Sequence, residues 1–282
     1  MTALPDGEEL LSLAVRTARD AAAYVRAARP EGRVQVAATK SSDTDPVTAI
    51  DRATERLVRE RIAAERPQDT FLGEEFGESP GEELGEEGGR ADGASGVRWV
   101  VDPIDGTVNF VYGLRHSAVA IAAEIDGEVE VGCVVDIATG HEFTAVRGQG
   151  SYLREAPDSD LVRLQSVAPP SASHALVATG FNYVPEVRAH QAAAVARLLL
   201  DVRDIRRTGS AALDFCALAA GRLDAYVEQG LAPWDIAAGG LVAREAGVVV
   251  AGLDGPPDER LVLAAPEPFA QEFFRLVRAC GF

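Results

Sequence analysis

Apolar positions recur three and four residues apart between Glu8 and Arg29, where Leu11, Ala14, Ala18, Ala21 and Val25 share one helical face and Pro30-Glu31-Gly32 ends the run. A second helix is predicted from about Asp51 to Glu65, with Leu57, Val58 and Ile62 inward and Pro67 beyond it. Short β-like runs lie at Val34 to Thr39, Phe71-Leu72 and Val97 to Val101. The pattern then turns antiparallel: Ser117–Ile125 and Val129–Val135 flank Asp126-Gly127, a hairpin turn signal, and a third strand lies near Glu142–Arg147. Downstream, strands at Ala175–Thr179, Asp224–Glu228, Val248–Val250 and Leu261–Ala265 alternate with helices at about Glu186–Leu200, Ser210–Ala220, Trp234–Ala246 and from Pro266 onward. Between them, Phe76 to Gly96 is rich in Gly, Glu and Ser without periodicity and reads as a solvated loop. Mixed sheets with helices on their faces are the architecture this order implies.

Composition narrows the functional classes. The 282 residues are 47% hydrophobic, enough for a packed core in one large domain or two fused halves. No window offers the roughly 18–20 uninterrupted apolar residues of a membrane span, and the acidic start Met1 to Glu9 resembles neither a secretory signal nor a transit peptide, so a cytoplasmic location is expected. Cys133, Cys216 and Cys280 are odd in number and far apart, which predicts reduced structural thiols. A net charge of -17 disfavours nucleic acid and anionic membrane as partners, while a bound divalent cation can still invert the local potential for a small anionic substrate.

The chemistry concentrates at Asp102-Pro103-Ile104-Asp105-Gly106-Thr107. These residues follow the apolar run Val97-Arg98-Trp99-Val100-Val101, so two carboxylates stand at the end of a buried strand, a costly placement unless a cation compensates it. Gly106 and Thr107 then present backbone N–H groups suited to phosphate. Glu74 and Asp235 also sit where an apolar element ends or begins, and hard cations such as Mg²⁺ prefer such oxygens. Read alone, Asp235 is a helix N-cap, Glu74-Glu75 opens the acidic loop, and Glu228 is an exposed acid at a strand end. Gly148-Gln149-Gly150 lacks the third glycine and the strand-to-helix context of a dinucleotide site, no GxxxxGK[ST] loop occurs, and the four histidines show no metal spacing.

Four blocks in order resemble the inositol monophosphatase family: Asp45-Pro46-Val47-Thr48-Ala49-Ile50-Asp51, Gly73-Glu74-Glu75, Trp99 to Phe110, and Trp234-Asp235-Ile236-Ala237-Ala238-Gly239. Arg206 to Ala212 and Glu228-Gln229-Gly230 also stand in family positions. The resemblance runs from about Leu10 to the C-terminus and implies an α/β fold, a layered α/β/α/β/α sandwich shared with fructose-1,6-bisphosphatases. It implies two fused halves, residues 1–155 and 156–282, meeting at the metal site, and a homodimer. It further implies two to three Mg²⁺ ions, a first held by Glu74, Asp102 and the Ile104 carbonyl and a second by Asp102, Asp105 and Asp235. Gly106, Thr107 and Val108 would take phosphate, and Thr107 with Glu74 would orient an attacking water, supported by Asp45 and Thr48. Glu228 would accept polyol hydroxyls in a pocket shared with Gly209, Ser210 and Ala211.

The expected reaction is hydrolysis of a small phosphorylated polyol or sugar, foremost inositol 1-phosphate, with lithium sensitivity. Val108 and Trp234 argue against a histidinol-phosphate substrate, whereas Arg206, Arg207 or Lys40 could line a second phosphate pocket in a bisphosphatase. A non-catalytic binding protein has no reason to keep such clustered acids.

Overall fold

The structure, a computed structural model, describes residues 6–30, 32–39, 46–79 and 95–282. Seven α-helices alternate with strands among these residues: α1 (Gly7–Ala28), α2 (Ala49–Glu65), α3 (Thr107–Tyr112), α4 (Pro185–Leu198), α5 (Ala211–Ala219), α6 (Pro233–Glu245) and α7 (Glu267–Cys280). The strands are β1 (Ala38–Thr39), β2 (Pro46–Val47), β3 (Thr70–Gly73), β4 (Gly77–Ser79), β5 (Val97–Asp105), β6 (Ala118–Ile125), β7 (Glu128–Asp136), β8 (Glu142–Val146), β9 (Gly150–Arg154) and β10 (Val162–Arg163), followed by β11 (Leu176–Thr179), β12 (Asp204–Arg206), β13 (Ala225–Glu228), β14 (Val248–Ala251) and β15 (Val262–Pro266).

Two sheets carry the fold. The larger is ordered β10-β9-β8-β7-β6-β5-β3-β4 and the smaller β12-β11-β13-β15-β14. Side chains alternate across each sheet with a period of two, so each strand feeds two cores. From β5 and β6, Trp99, Val101, Val119 and Ile121 pack with α1 and α2, while Val100, Ala118, Ala120 and Ala122 pack with α5 and α6. The smaller sheet repeats the device. Ala178, Tyr226, Val262 and Ala264 meet the other side of α5 and α6, whereas Val177, Val227, Leu263 and Ala265 meet α4 and α7. The result is the α/β/α/β/α sandwich, with α5 and α6 buried in its middle layer.

The middle layer tolerates no extra atoms where α6 crosses β7. A Cβ built on Gly132 would lie 2.6 Å from the Ala238 carbonyl oxygen. Gly132→Ala is therefore expected to destabilise the fold by about 1–3 kcal/mol through overpacking, read as a lower midpoint in thermal unfolding.

Most predicted elements are present with shifted ends, and the departures are informative. At Asp126-Gly127 both residues adopt positive φ, 52° and 79°, the conformation of a type I′ hairpin turn. The stretch read as a loop from Phe76 contains a strand instead: Gly77–Ser79 pairs antiparallel with β3. The rest of that stretch, residues 80–94, lies outside the described residues. Of Val34 to Thr39 only Ala38–Thr39 is strand, while β9, β12 and α3 have no counterpart in the periodicity reading. All three cysteines are free and buried.

Candidate active site

Strand β5 delivers Asp102 and Asp105, and its backbone explains how. In a regular strand, residues three apart point to opposite faces. Here the pairing with β6 shifts register between Asp102 and Asp105. Pro103 has no N–H for the ladder, and the irregularity absorbs the extra residue. Both carboxylates consequently reach one cluster with Asp235, and oxygens of the three lie within 4.8 Å of one another.

Asp235 arrives from the other side. It is the third residue of α6, and its Oδ2 accepts the N–H of Ala232 at 2.6 Å. Asp235 is therefore not the N-cap that its sequence context suggests; that position belongs to Ala232, and Asp235 closes back on it from the first turn, a contact that fixes the carboxylate joining the cluster. Asp105 is held by the Ser210 hydroxyl and by the backbone N–H of Ala212 at 2.8 Å, at the start of α5. Asp102 Oδ1 accepts the N–H of Ile104 at 3.1 Å.

Burial is the main force on these acids. It pushes Asp102 and Asp235 well above the usual carboxylate range, and the negative charges of Glu74 and Asp105 add to the effect on both. Burial also raises Asp105 to about 6, against the lowering pull of Ser210 and the backbone N–H groups of Ala212 and Ala211. Carboxylates packed this closely, all offering hard oxygen donors, suit a divalent cation. The residues fit the group the sequence implied.

Beside the cluster, Gly106 takes φ 89° and starts α3. A Cβ there would come within 2.9 Å of the carbonyl oxygens of Gly209 and His116, so only glycine fits. The Thr107 hydroxyl lies 3.2 Å from Asp51 Oδ1 and 3.0 Å from the Ile104 carbonyl oxygen. Its single proton serves one of these acceptors at a time. Asp45 and Lys40 lie outside the described residues, and the carboxylate that meets Thr107 is that of Asp51. Thr48 does not touch Thr107 among the recorded hydrogen bonds. Its hydroxyl and backbone N–H bind Asp51 Oδ2, forming the capping box that opens α2.

These groups line a cavity of about 530 Å³, together with Val108, Gly209, Ser210, Ala211 and Glu228. Gly106, Thr107, Val108, Gly209, Ser210, Ala211 and Glu228, all expected from sequence on the substrate side, reach it, as does Arg207, whereas Arg206 is not among its lining residues. Glu228 accepts from the Tyr226 hydroxyl, and burial raises it to about 7. Gly180 makes room for that carboxylate, since a Cβ there would fall 2.0 Å from Glu228 Oε1. Six carboxylates and one guanidinium, Arg207, stand among the lining residues. The sixth carboxylate, Asp214, escaped the sequence reading; both its oxygens lie 2.7 Å from the Thr208 hydroxyl, and burial raises it well above its ordinary value. No periodicity marks it, because it sits in an otherwise apolar helix, Ala211–Ala219.

Comparison with known proteins agrees with this geometry. The inositol-1-monophosphatase SuhB of Mycobacterium tuberculosis is 44% identical over 293 residues, spanning 94% of this chain and 96% of that protein. The Nus factor SuhB of Haemophilus influenzae is 37% identical, spanning 96% of both. Among solved structures, Mycobacterium tuberculosis SuhB superposes with a TM-score of 0.80 at 39% identity over 98% of each chain. The SuhB protein of Bartonella henselae gives 0.82 at 30% identity, covering 97% of this chain and 100% of that one. A sequence model of the inositol monophosphatase family matches residues 6–280. This chain belongs to the inositol monophosphatase family.

Proposed function

We propose that this protein is a Mg²⁺-dependent phosphatase that hydrolyses small polyol phosphates, with inositol 1-phosphate as its foremost substrate. The observation that carries the reading is the cluster of Asp102, Asp105 and Asp235, with oxygens within 4.8 Å, beside the Gly106–Val108 turn. Glu74, Asp102, Asp105, Asp235 and the Ile104 carbonyl would hold the ions. Bound there, Mg²⁺ supplies charge neutralisation for the phosphate and lowers the pKa of water. Gly106, Thr107 and Val108 open α3, where the first N–H groups of a helix lack intrahelical acceptors and favour phosphate oxygens. With its own proton directed to Asp51 or Ile104, the Thr107 oxygen can accept a proton contact from the attacking water and aim its lone pair at phosphorus. No side chain is needed as a covalent nucleophile; Glu228 would accept hydrogen bonds from the polyol hydroxyls, and the leaving oxygen would take its proton from solvent.

The test is phosphate release from inositol 1-phosphate, fructose 1,6-bisphosphate, histidinol phosphate and p-nitrophenyl phosphate, each with Mg²⁺ and with excess chelator. Inositol 1-phosphate is expected to be hydrolysed fastest, and chelator to stop every reaction. A charged hydrogen bond contributes roughly 1.5–3 kcal/mol, so Glu228→Gln is expected to lower kcat/KM for inositol 1-phosphate by about 10–100-fold. Its rate on p-nitrophenyl phosphate, which has no polyol hydroxyls, should hold. Preference for the bisphosphate would move the assignment to a bisphosphatase, with Arg207 at the second phosphate.

The name Nus factor borne by relatives at 37% identity supports a second reading, a binding role tied to transcription. That role needs none of the clustered acids. No phosphate release from any of these esters, with or without Mg²⁺, would favour it.

A further inference from the structure

Helix α2 carries a buried ion pair that the phosphatase reading leaves unused. Glu55 is fully buried and Arg59, one turn later, is 6% exposed. Glu55 Oε1 accepts from Arg59 Nε at 2.9 Å, and Glu55 Oε2 accepts the backbone N–H of Glu75 at 2.7 Å. The carboxylate occupies the space a side chain at position 73 would need: a Cβ on Gly73 would fall 1.9 Å from Glu55 Oε1. Arg59 extends the grip. Its Nη2 donates to the Gly77 carbonyl at 2.7 Å, its Nη1 to Ser79 Oγ, and the guanidinium lies over the rings of Phe71 and Phe76 at 5.3 and 5.7 Å. The backbone after Glu74 is thereby fastened to one helix, and Gly73 before it packs directly on the Glu55 carboxylate; the first turn of that helix also presents Asp51 to Thr107.

Two charges taken out of water lose solvation that apolar residues would not, so helix-to-sheet packing alone does not account for the pair. Its recorded bonds end instead on the segment from Glu75 to Ser79. Glu74 in turn lines the same cavity as Asp102, Asp105 and Asp235, just outside the three carboxylates whose oxygens lie within 4.8 Å of one another. We infer that Glu55, braced by Arg59, is a positioning residue for Glu74: it sets the height of the Gly73–Glu75 turn and thereby the affinity of the acidic cluster for a divalent cation. The inference rests on reading that cluster as the Mg²⁺ site. Groups that orient metal ligands typically govern roughly 10–100-fold in affinity.

The experiment is Mn²⁺ titration of the whole protein, followed by the paramagnetic resonance signal of free Mn²⁺. It compares wild type, Glu55→Gln, Gly73→Ala, Glu74→Gln and Val58→Ala. Glu55→Gln weakens the ion pair, and Gly73→Ala leaves both charged residues in place but drives a methyl group into the carboxylate's seat. Val58, buried on the same helix in the core with α1, serves as a control for general loosening. Both Glu55→Gln and Gly73→Ala are expected to weaken Mn²⁺ binding by about 10–100-fold. Val58→Ala should lower the thermal midpoint and leave binding as in wild type. At saturating cation, KM for substrate should be unchanged in Glu55→Gln and Gly73→Ala, while the cation concentration for half-maximal rate rises with the binding loss.

Wild-type affinity in both Glu55→Gln and Gly73→Ala, with weakened Glu74→Gln, would overturn the inference and leave the Mg²⁺ reading intact. An equal loss in Val58→Ala would overturn it too, by showing that any loosening of α2 suffices. A wild-type protein that takes up no Mn²⁺ would overturn both together. Should Glu55→Gln fail to fold, Gly73→Ala alone decides.

Discussion

Asp102→Asn is expected to reduce turnover by more than the roughly 10–100-fold that follows loss of a group merely supporting a metal ligand. Asp102 sits at the centre of the cluster, with Glu74, Asp105 and Asp235 all acting on it. The amide removes one negative charge and one hard oxygen while keeping the side chain's shape. Folding should survive, because the contact to the Ile104 N–H needs only an acceptor oxygen, which asparagine retains. Steady-state phosphate release and circular dichroism on the same preparation check both halves of this expectation. Activity within a few-fold of wild type would sink the account of Asp102 as a shared ligand.

The second large effect concerns stability, pH and cation together. Asp102, Asp105, Asp235 and Glu228 are all raised in the folded state above their ordinary values, chiefly by burial. Between about pH 4, where such acids titrate in an unfolded chain, and their raised folded values, the folded protein binds more protons than the unfolded one. Stability without divalent cation therefore falls as pH rises through this interval. For Asp105 and Glu228 the loss is complete once pH has passed their folded values of about 6 and about 7. Mg²⁺ competes with protons for the same oxygens, so it should raise the thermal midpoint more at pH 8 than at pH 5. A cation present at 100 times its dissociation constant adds about 2.7 kcal/mol, on the order of 5 °C for a chain of this size. Mutual repulsion among the 44 acidic residues acts in the same direction. The decisive quantity is therefore the difference between wild type and Asp102→Asn, measured by scanning calorimetry with and without Mg²⁺. The variant should have the shallower slope, and equal slopes would show that the cluster does not control it.

The layered fold was legible because amphipathic helices and hairpin signals are local, and most helices fall where periodicity put them. The acids at the end of β5 were legible from their neighbours and their convergence from the family resemblance, but periodicity could not supply it: alternation alone sends Asp102 and Asp105 to opposite faces, and the register shift beside Pro103 reunites them. Asp51 was hidden in plain view. Thr48-Ala49-Ile50-Asp51 has the spacing of a capping box, which locates it; Asp45, at the other end of the same block, lies outside the described residues. Glu55 and Arg59 carry no sequence signal of burial, since an acid and a base four apart on a helix are the usual pattern of a solvated surface pair. The strand Gly77–Ser79 is composed of poor strand formers, and Arg59 supplies from a distance the hydrogen bonds that its sequence does not advertise.

The placement of the cavity walls has a consequence for how such a protein can change. Glu74, Asp102, Asp105 and Thr107 are borne by the larger sheet and the turns leaving it, whereas Glu228, Gly180 and Arg207 are borne by the smaller sheet and its connections. On the proposed reading, the larger sheet, joined by Asp235 from α6, carries what every phosphate ester requires, and the smaller sheet touches what would distinguish one alcohol from the next. Substitutions on the smaller sheet can therefore explore new leaving groups without disturbing bond cleavage. Directed diversification confined to residues 180–184, 207 and 228 is the shortest route to phosphatases for other polyols on this scaffold.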